Sequence, residues 1–97
     1  MSLAGRTAIV TGASRGIGAA IAIRLATDGA AVACIATKKE NAQSTVDMIT
    51  NSGGKSIALG CDVSDFETVE KAVQHVNEAL GVPTILVNNA GIARDTL

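Results

Sequence analysis

Four short β-rich runs recur along this chain: "RTAIVTG" (Arg6–Gly12), "AAVACIA" (Ala30–Ala36), "KSIALGC" (Lys55–Cys61) and "TILVN" (Thr84–Asn88). The second and fourth are apolar at successive positions, without the polar alternation of a half-exposed strand. That pattern belongs to strands covered on both faces. Helical segments separate the runs, so the order reads βαβαβαβ and predicts a parallel sheet. Right-handed crossovers put the first two helices on one face. A doubly wound sheet then puts the third helix on the other face and the fourth strand beside the first, giving strand order 3-2-1-4.

The helices have their own signals. "GIGAAIAIRLATD" (Gly16–Asp28) is alanine-rich, with Ile17, Ile21 and Leu25 every four residues. Only Arg24 interrupts its apolar character before Asp28, so the helix is expected to be buried on most sides. Gly29 follows as a left-handed C′ residue. In "ENAQSTVDMITNSGG", Ala42, Val46 and Ile49 form one helical face, and Gly53-Gly54 stop it. The third helix, Ser64–Leu80, opens on Ser64-Asp65-Phe66-Glu67, read as a capping box with Ser64 as N-cap. Phe66, Val69, Val73, Val76 and Leu80 make its apolar stripe, Gly81 and Pro83 end it, and Glu67 and Lys71 are spaced as an i,i+4 ion pair. His75, the only histidine, reads as a solvated surface residue.

A length of 97 residues allows a single domain, 1–97. Hydrophobic residues make up 47% of it, yet Phe66 is the only aromatic one, so Ala, Val, Ile and Leu must build the core. A net charge of −1 offers no basic stripe for nucleic acid. No run approaches about 18 apolar residues, so no membrane span is expected. The N-terminus lacks the pattern of a secretion signal, which makes the cytoplasm the default location, with mitochondria the alternative for a eukaryotic source. Cys34 and Cys61 lie inside apolar runs without metal-ligand spacing and read as small buried hydrophobes. No metal site is expected.

"TGASRGIG" (Thr11–Gly18) joins the first strand to the first helix. A helix beginning near Gly16 aims unpaired N–H groups at one point, and its dipole favours an anion there. Glycine lets a phosphate approach without a Cβ in the way. Ser14 adds a hydroxyl and Arg15 a guanidinium. The alternative is a tight turn kept small for packing. A P-loop is disfavoured, because no lysine follows Gly18. After the second strand, where an acidic residue would meet a ribose 2′-hydroxyl, stands "ATKK". Thr37, Lys38 and Lys39, with Arg15 nearby in the predicted fold, suit a 2′-phosphate, hence NADP(H), or form a solvated basic turn. Asp62 can accept from an adenine amino group or supply charge at a helix N-terminus.

"TGASRGIG", "ATKK", "CDVSD" and "NNAG" (Asn88–Gly91), in this order, resemble the short-chain dehydrogenase/reductases, and among them the 3-oxoacyl-acyl-carrier-protein reductases. The resemblance spans all 97 residues but only the N-terminal part of such an enzyme. It implies an NAD(P)-binding Rossmann-type fold in which Gly12, Ser14, Arg15, Gly16, Ile17 and Gly18 wrap the pyrophosphate and adenosine phosphate. Thr37 would lie by the adenosine ribose phosphate, and Asp62 and Val63 around adenine. Asn89, Ala90 and Gly91 would line the path to nicotinamide, while Asn88 ties neighbouring strands. Acyl-carrier-protein-linked substrates, a role in fatty acid biosynthesis and a homo-oligomer are implied as well. The apolar fourth strand, left at the sheet edge, points the same way toward association.

The family's catalytic serine and Tyr-x-x-x-Lys pair lie beyond the matching part, and the chain has no tyrosine. No residue here takes the role of the tyrosine that protonates the carbonyl oxygen as hydride arrives. The first reading is therefore an NADPH-dependent reductase in its full-length form, with these 97 residues inactive alone. The others are an NADP(H)-binding module without catalysis, such as a truncated isoform, and a fragment kept only for its fold.

Overall fold

The computed structural model describes residues 2–89. The elements run β1 (Thr7–Thr11), α1 (Gly16–Thr27), β2 (Ala31–Ala36), α2 (Lys39–Asn51), β3 (Ser56–Gly60), α3 (Phe66–Ala79) and β4 (Ile85–Asn88). All pairings are parallel, in the order β3-β2-β1-β4, as the alternation predicts.

Side-chain alternation along the strands sorts the core into two layers. Ala8, Val10, Val32, Cys34 and Ala58 face α1 and α2, where they meet Ala22, Ala42, Val46 and Ile49. Ile9, Ala33 and Ile35 face the other way and meet Cys61, Ala72 and Val76 on and before α3. Small residues dominate the first layer; Ala8, Ala13, Ala22 and Ala42 are all fully buried.

Three local readings need correction. Helix α1 is not buried on most sides: Ile17 is 69% exposed, and only Gly18, Ala19 and Ala22 are buried within it. An alanine-rich helix packs closely along one narrow face, which leaves its larger side chains at the rim. The N-cap of α3 is Asp65, whose side chain accepts from the Glu67 N–H at 3.0 Å. Ser64 instead donates both its N–H and its hydroxyl to Asp62, at 3.0 and 2.6 Å, which starts the helix one residue later. Among the described residues the i,i+4 ion pair that forms is Arg24–Asp28, at 3.2 Å, rather than Glu67–Lys71.

The stripe on α3 also buries less than its spacing suggests. Val76 is fully buried, but Val73 is 41% and Phe66 76% exposed. The reason is the position of α3 over Ile9, Ala33 and Ile35, which leaves this face of β4 uncovered. Leu86, pointing from β4 to that side, is 69% exposed. Between α3 and β4 runs an apolar groove of about 370 Å³, bordered by Ile9, Val69, Val73, Pro83, Ile85 and Leu86. Among the described residues, no helix is long and apolar enough to cross a membrane.

Ile49→Ala should lower the unfolding free energy by roughly 2–5 kcal/mol in urea titration, because Ile49 fills the layer beneath α2. Met48→Ala, at an exposed neighbour, should change it by less than about 0.5 kcal/mol. Equal effects would show that α2 packs on a different face. Burial also pushes the Cys34 thiol above its ordinary value of 9.0, against a smaller opposing effect of its Ser56 hydrogen bond. The folded chain thus holds the proton longer than the unfolded one, so this contribution is complete below pH 9.0 and is lost as pH rises through the folded value. Denaturation across alkaline pH should show a shallower decline for Cys34→Ala than for the unsubstituted chain.

Candidate functional site

Because all four strands are parallel, their C-terminal ends, Thr11, Ala36, Gly60 and Asn88, share one edge of the sheet. The segments that follow them therefore gather there, although far apart in sequence. The two directions of winding part between β1 and β4, which is where ligands enter sheets of this kind.

The glycine loop is held from several sides. The β1–β2 ladder extends into it, with the Ala13 N–H donating to the Ile35 carbonyl at 3.1 Å. Gly12 and Gly16 take left-handed φ values of 64° and 61°, which turn the chain from strand to helix. Gly18, in the first turn of α1, lies against Gly12 and Asn89; a Cβ there would sit 2.7 Å from Asn89 Nδ2. Asn89 Nδ2 donates to the Gly12 carbonyl at 3.3 Å, and the Asn89 N–H donates to Thr11 Oγ1 at 2.9 Å. The Thr11 hydroxyl faces Asn88 Oδ1 at 3.1 Å, so Asn88 ties β1 to β4. From the other side, Thr45 of α2 donates its hydroxyl to the Ala13 carbonyl at 2.7 Å in a fully buried contact.

The end of α1 that opens on this loop is unlike the other two helix starts. Arg15 is its N-cap, extended at φ −167°, with no side chain capping the helix and no acidic residue in its first turn. By contrast, α2 and α3 carry Glu40 and Glu67 there, and Asp65 caps α3. The first N–H groups of α1 lie at exposed Arg15, Gly16 and Ile17, beside half-buried Ser14. With the positive end of the helix dipole, this donor set suits a phosphate and carries no carboxylate to repel it.

Thr37, Lys38 and Lys39 form an exposed turn at the neighbouring strand end, with Lys38 as the N-cap of α2. Gly60 abuts this turn so closely that a Cβ would lie 2.9 Å from the Lys39 nitrogen. The Cys61 N–H donates to the Ala36 carbonyl at 2.9 Å, which docks the segment leading to Asp62 and Val63. Asp62 Oδ1 is engaged by Ser64, so this carboxylate braces the turn before α3. Val63 is partly exposed and borders the same groove as Thr11. Ala90 and Gly91 lie outside the described residues.

The structure thus brings Gly12, Ser14, Arg15, Gly16, Ile17, Gly18, Thr37, Asp62, Val63 and Asn89 to one edge of the sheet. Two contributors were not singled out from sequence. Thr45 had a readable signal, a hydroxyl inside the stripe formed by Ala42, Val46 and Ile49. Gly60 had none, because its partner is the backbone nitrogen of Lys39, at the far end of the preceding helix.

The short chain dehydrogenase family model matches residues 6–97. The chain is 46% identical, over all 97 residues, to a 3-oxoacyl-[acyl-carrier-protein] reductase FabG of Pseudomonas aeruginosa, of which it covers 39%. It is 49% identical over 92 residues to a short chain dehydrogenase of Pseudocercospora fijiensis, covering 95% of this chain and 30% of that protein. Among solved structures, a dehydrogenase/reductase from Sinorhizobium meliloti superposes with a TM-score of 0.86 at 53% identity, covering 91% of this chain and 35% of that one. A hydroxysteroid dehydrogenase from Escherichia coli gives 0.87 at 39% identity, with 91% and 37% covered. The chain therefore spans less than half the length of these relatives. With its parallel 3-2-1-4 sheet and glycine loop, it belongs to the short-chain dehydrogenase/reductase family of oxidoreductases.

Proposed function

We propose that these residues form the NADP(H)-binding part of a reductase acting on 3-oxoacyl thioesters carried by acyl carrier protein. The observation that carries the cofactor reading is the uncapped, acid-free start of α1 beside a glycine loop clamped on both sides. Gly12, Ser14, Arg15, Gly16, Ile17 and Gly18 would hold the pyrophosphate and adenosine phosphate. Thr37, with Lys38 and Lys39, would meet the 2′-phosphate through a hydroxyl and two cations. Asp62 and Val63 would border adenine, and Asn89, Ala90 and Gly91 would line the path to nicotinamide. The bound cofactor would supply hydride to a carbonyl carbon. The substrate class rests on the reductases of that name among the relatives.

A second reading, binding without turnover, is favoured for the 97 residues alone by the absence of tyrosine. Proton delivery to the carbonyl oxygen then needs residues outside them. Calorimetric titration should show NADPH binding without NADPH oxidation when a 3-oxoacyl thioester is added. Absence of binding to either nicotinamide dinucleotide would remove both readings.

Arg15→Glu should weaken NADPH by at least about tenfold, through charge reversal beside the 2′-phosphate, and weaken NADH, which shares only the pyrophosphate, far less. Equal losses would show that Arg15 does not distinguish the two. We also propose a homo-oligomer in the cytoplasm. The outer edge of β4 has no strand partner among the described residues, and Leu86 and Val82 beside it are exposed. A monodisperse monomer with cooperative unfolding at micromolar concentration, by sedimentation and denaturation, would sink the oligomer.

A further inference from the structure

Among the described residues, a fully buried side-chain hydrogen bond to the glycine loop comes from α2, an element that does not adjoin the loop in sequence. Thr45 is 0% exposed, and its hydroxyl donates to the Ala13 carbonyl at 2.7 Å. Ala13 is itself fully buried, so this carbonyl has no water within reach to replace the threonine. We propose that Thr45 is a positioning residue for the anion-binding loop, acting through the Ala13–Ser14 peptide. The inference rests on the dinucleotide-binding reading above.

The argument is geometric. The described chain contains no cis peptide, so the carbonyl of Ala13 and the N–H of Ser14 point in opposite directions from one rigid plane. Drawing the carbonyl inward to Thr45 therefore turns the Ser14 N–H away from α2. The preceding carbonyl, of Gly12, is held by Asn89 from beyond β4. Two consecutive peptide planes are thus fixed from opposite ends of the sheet before any ligand arrives. Without the Thr45 hydroxyl, the Ala13 carbonyl must stay unpaired or swing toward solvent, and the swing misdirects the Ser14 N–H. The same helix begins at Lys39 and is preceded by Lys38, so one rigid rod links the loop to the basic turn.

The test compares Kd for NADPH and NADH in three variants, with unfolding measured alongside. Thr45→Val keeps the shape and removes the donor. Both cofactors should weaken by roughly five- to tenfold, because the pyrophosphate is common to them. Thr45→Ser keeps the donor and should stay within about twofold of the unsubstituted chain, even where loss of the buried methyl lowers Tm. Val46→Ala removes buried methyls from the same helix and no hydrogen bond, and should also preserve affinity. Unchanged affinity in Thr45→Val overturns the proposal, as does a loss in Val46→Ala equal to that in Thr45→Val. If Thr45→Val does not fold, Thr45→Ser decides: affinity that falls in step with Tm overturns the positioning role, and affinity held while Tm drops supports it. An unsubstituted chain that binds neither dinucleotide removes the dinucleotide reading itself, whereas equal binding by the chain and Thr45→Val removes only this inference.

Discussion

Strand β1 is buried at all five positions and paired on both edges, and the rest of the structure is organised around that constraint. A strand in this position must offer apolar side chains to both layers, and Ala8, Ile9 and Val10 do so in turn. It must also leave the sheet abruptly, because α1 has to return along its own face. The left-handed Gly12 and Gly16 make that exit possible without a Cβ clash. The unpaired N–H groups that result are a cost of the turn in an empty protein and an asset when an anion is present. A loop suited to an anion is here a by-product of how a central parallel strand must end.

What turns a permissive loop into a preorganised one is the packing of distant segments against it. Thr45 and Asn89 are 44 residues apart in the numbering, yet they hold adjacent carbonyls, those of Ala13 and Gly12. The Thr45 contact lies where water cannot compete for the Ala13 carbonyl. The Thr45 bond is fully buried and the Asn89 bond partly so, which shields the first from water more completely than the second. The site is thus rigid where carbonyls meet the interior and open where N–H groups face outward.

Most of the architecture was legible because it follows from continuous apolar runs. The two-sided character of "AAVACIA" is met in a strand buried at five of its six positions, and right-handed crossovers leave few ways to wind the sheet. "TILVN" has the same pattern, yet Leu86 of β4 stays exposed on the side that α3 does not reach. The loop and the strand ends were legible as well, since topology alone brings them to one edge. What periodicity did not reveal was how much of each helix face would find a partner. Phe66 and Val73 lie on a correct stripe but extend past the strands that α3 covers. Cap identity was ambiguous for a local reason: Ser64 and Asp65 can both cap, and the carboxylate of Asp62 settles it by engaging Ser64 first. Gly60 shows the limit, because a contact between a missing side chain and a remote backbone leaves no trace in nearby residues.

The alanine-built layer beneath α1 and α2 has a further consequence. Alanine loses no rotamer freedom when it is buried, so this part of the interior forms at little side-chain entropic cost. The same economy leaves no slack. Because Ala8, Ala13, Ala22 and Ala42 are fully buried among packed neighbours, each added methylene there must displace something. Larger side chains in this layer are therefore costly, whereas exposed positions outside the site, such as Met48 and Phe66, are far less constrained by packing. The part of the molecule with the plainest side chains is the part least able to change.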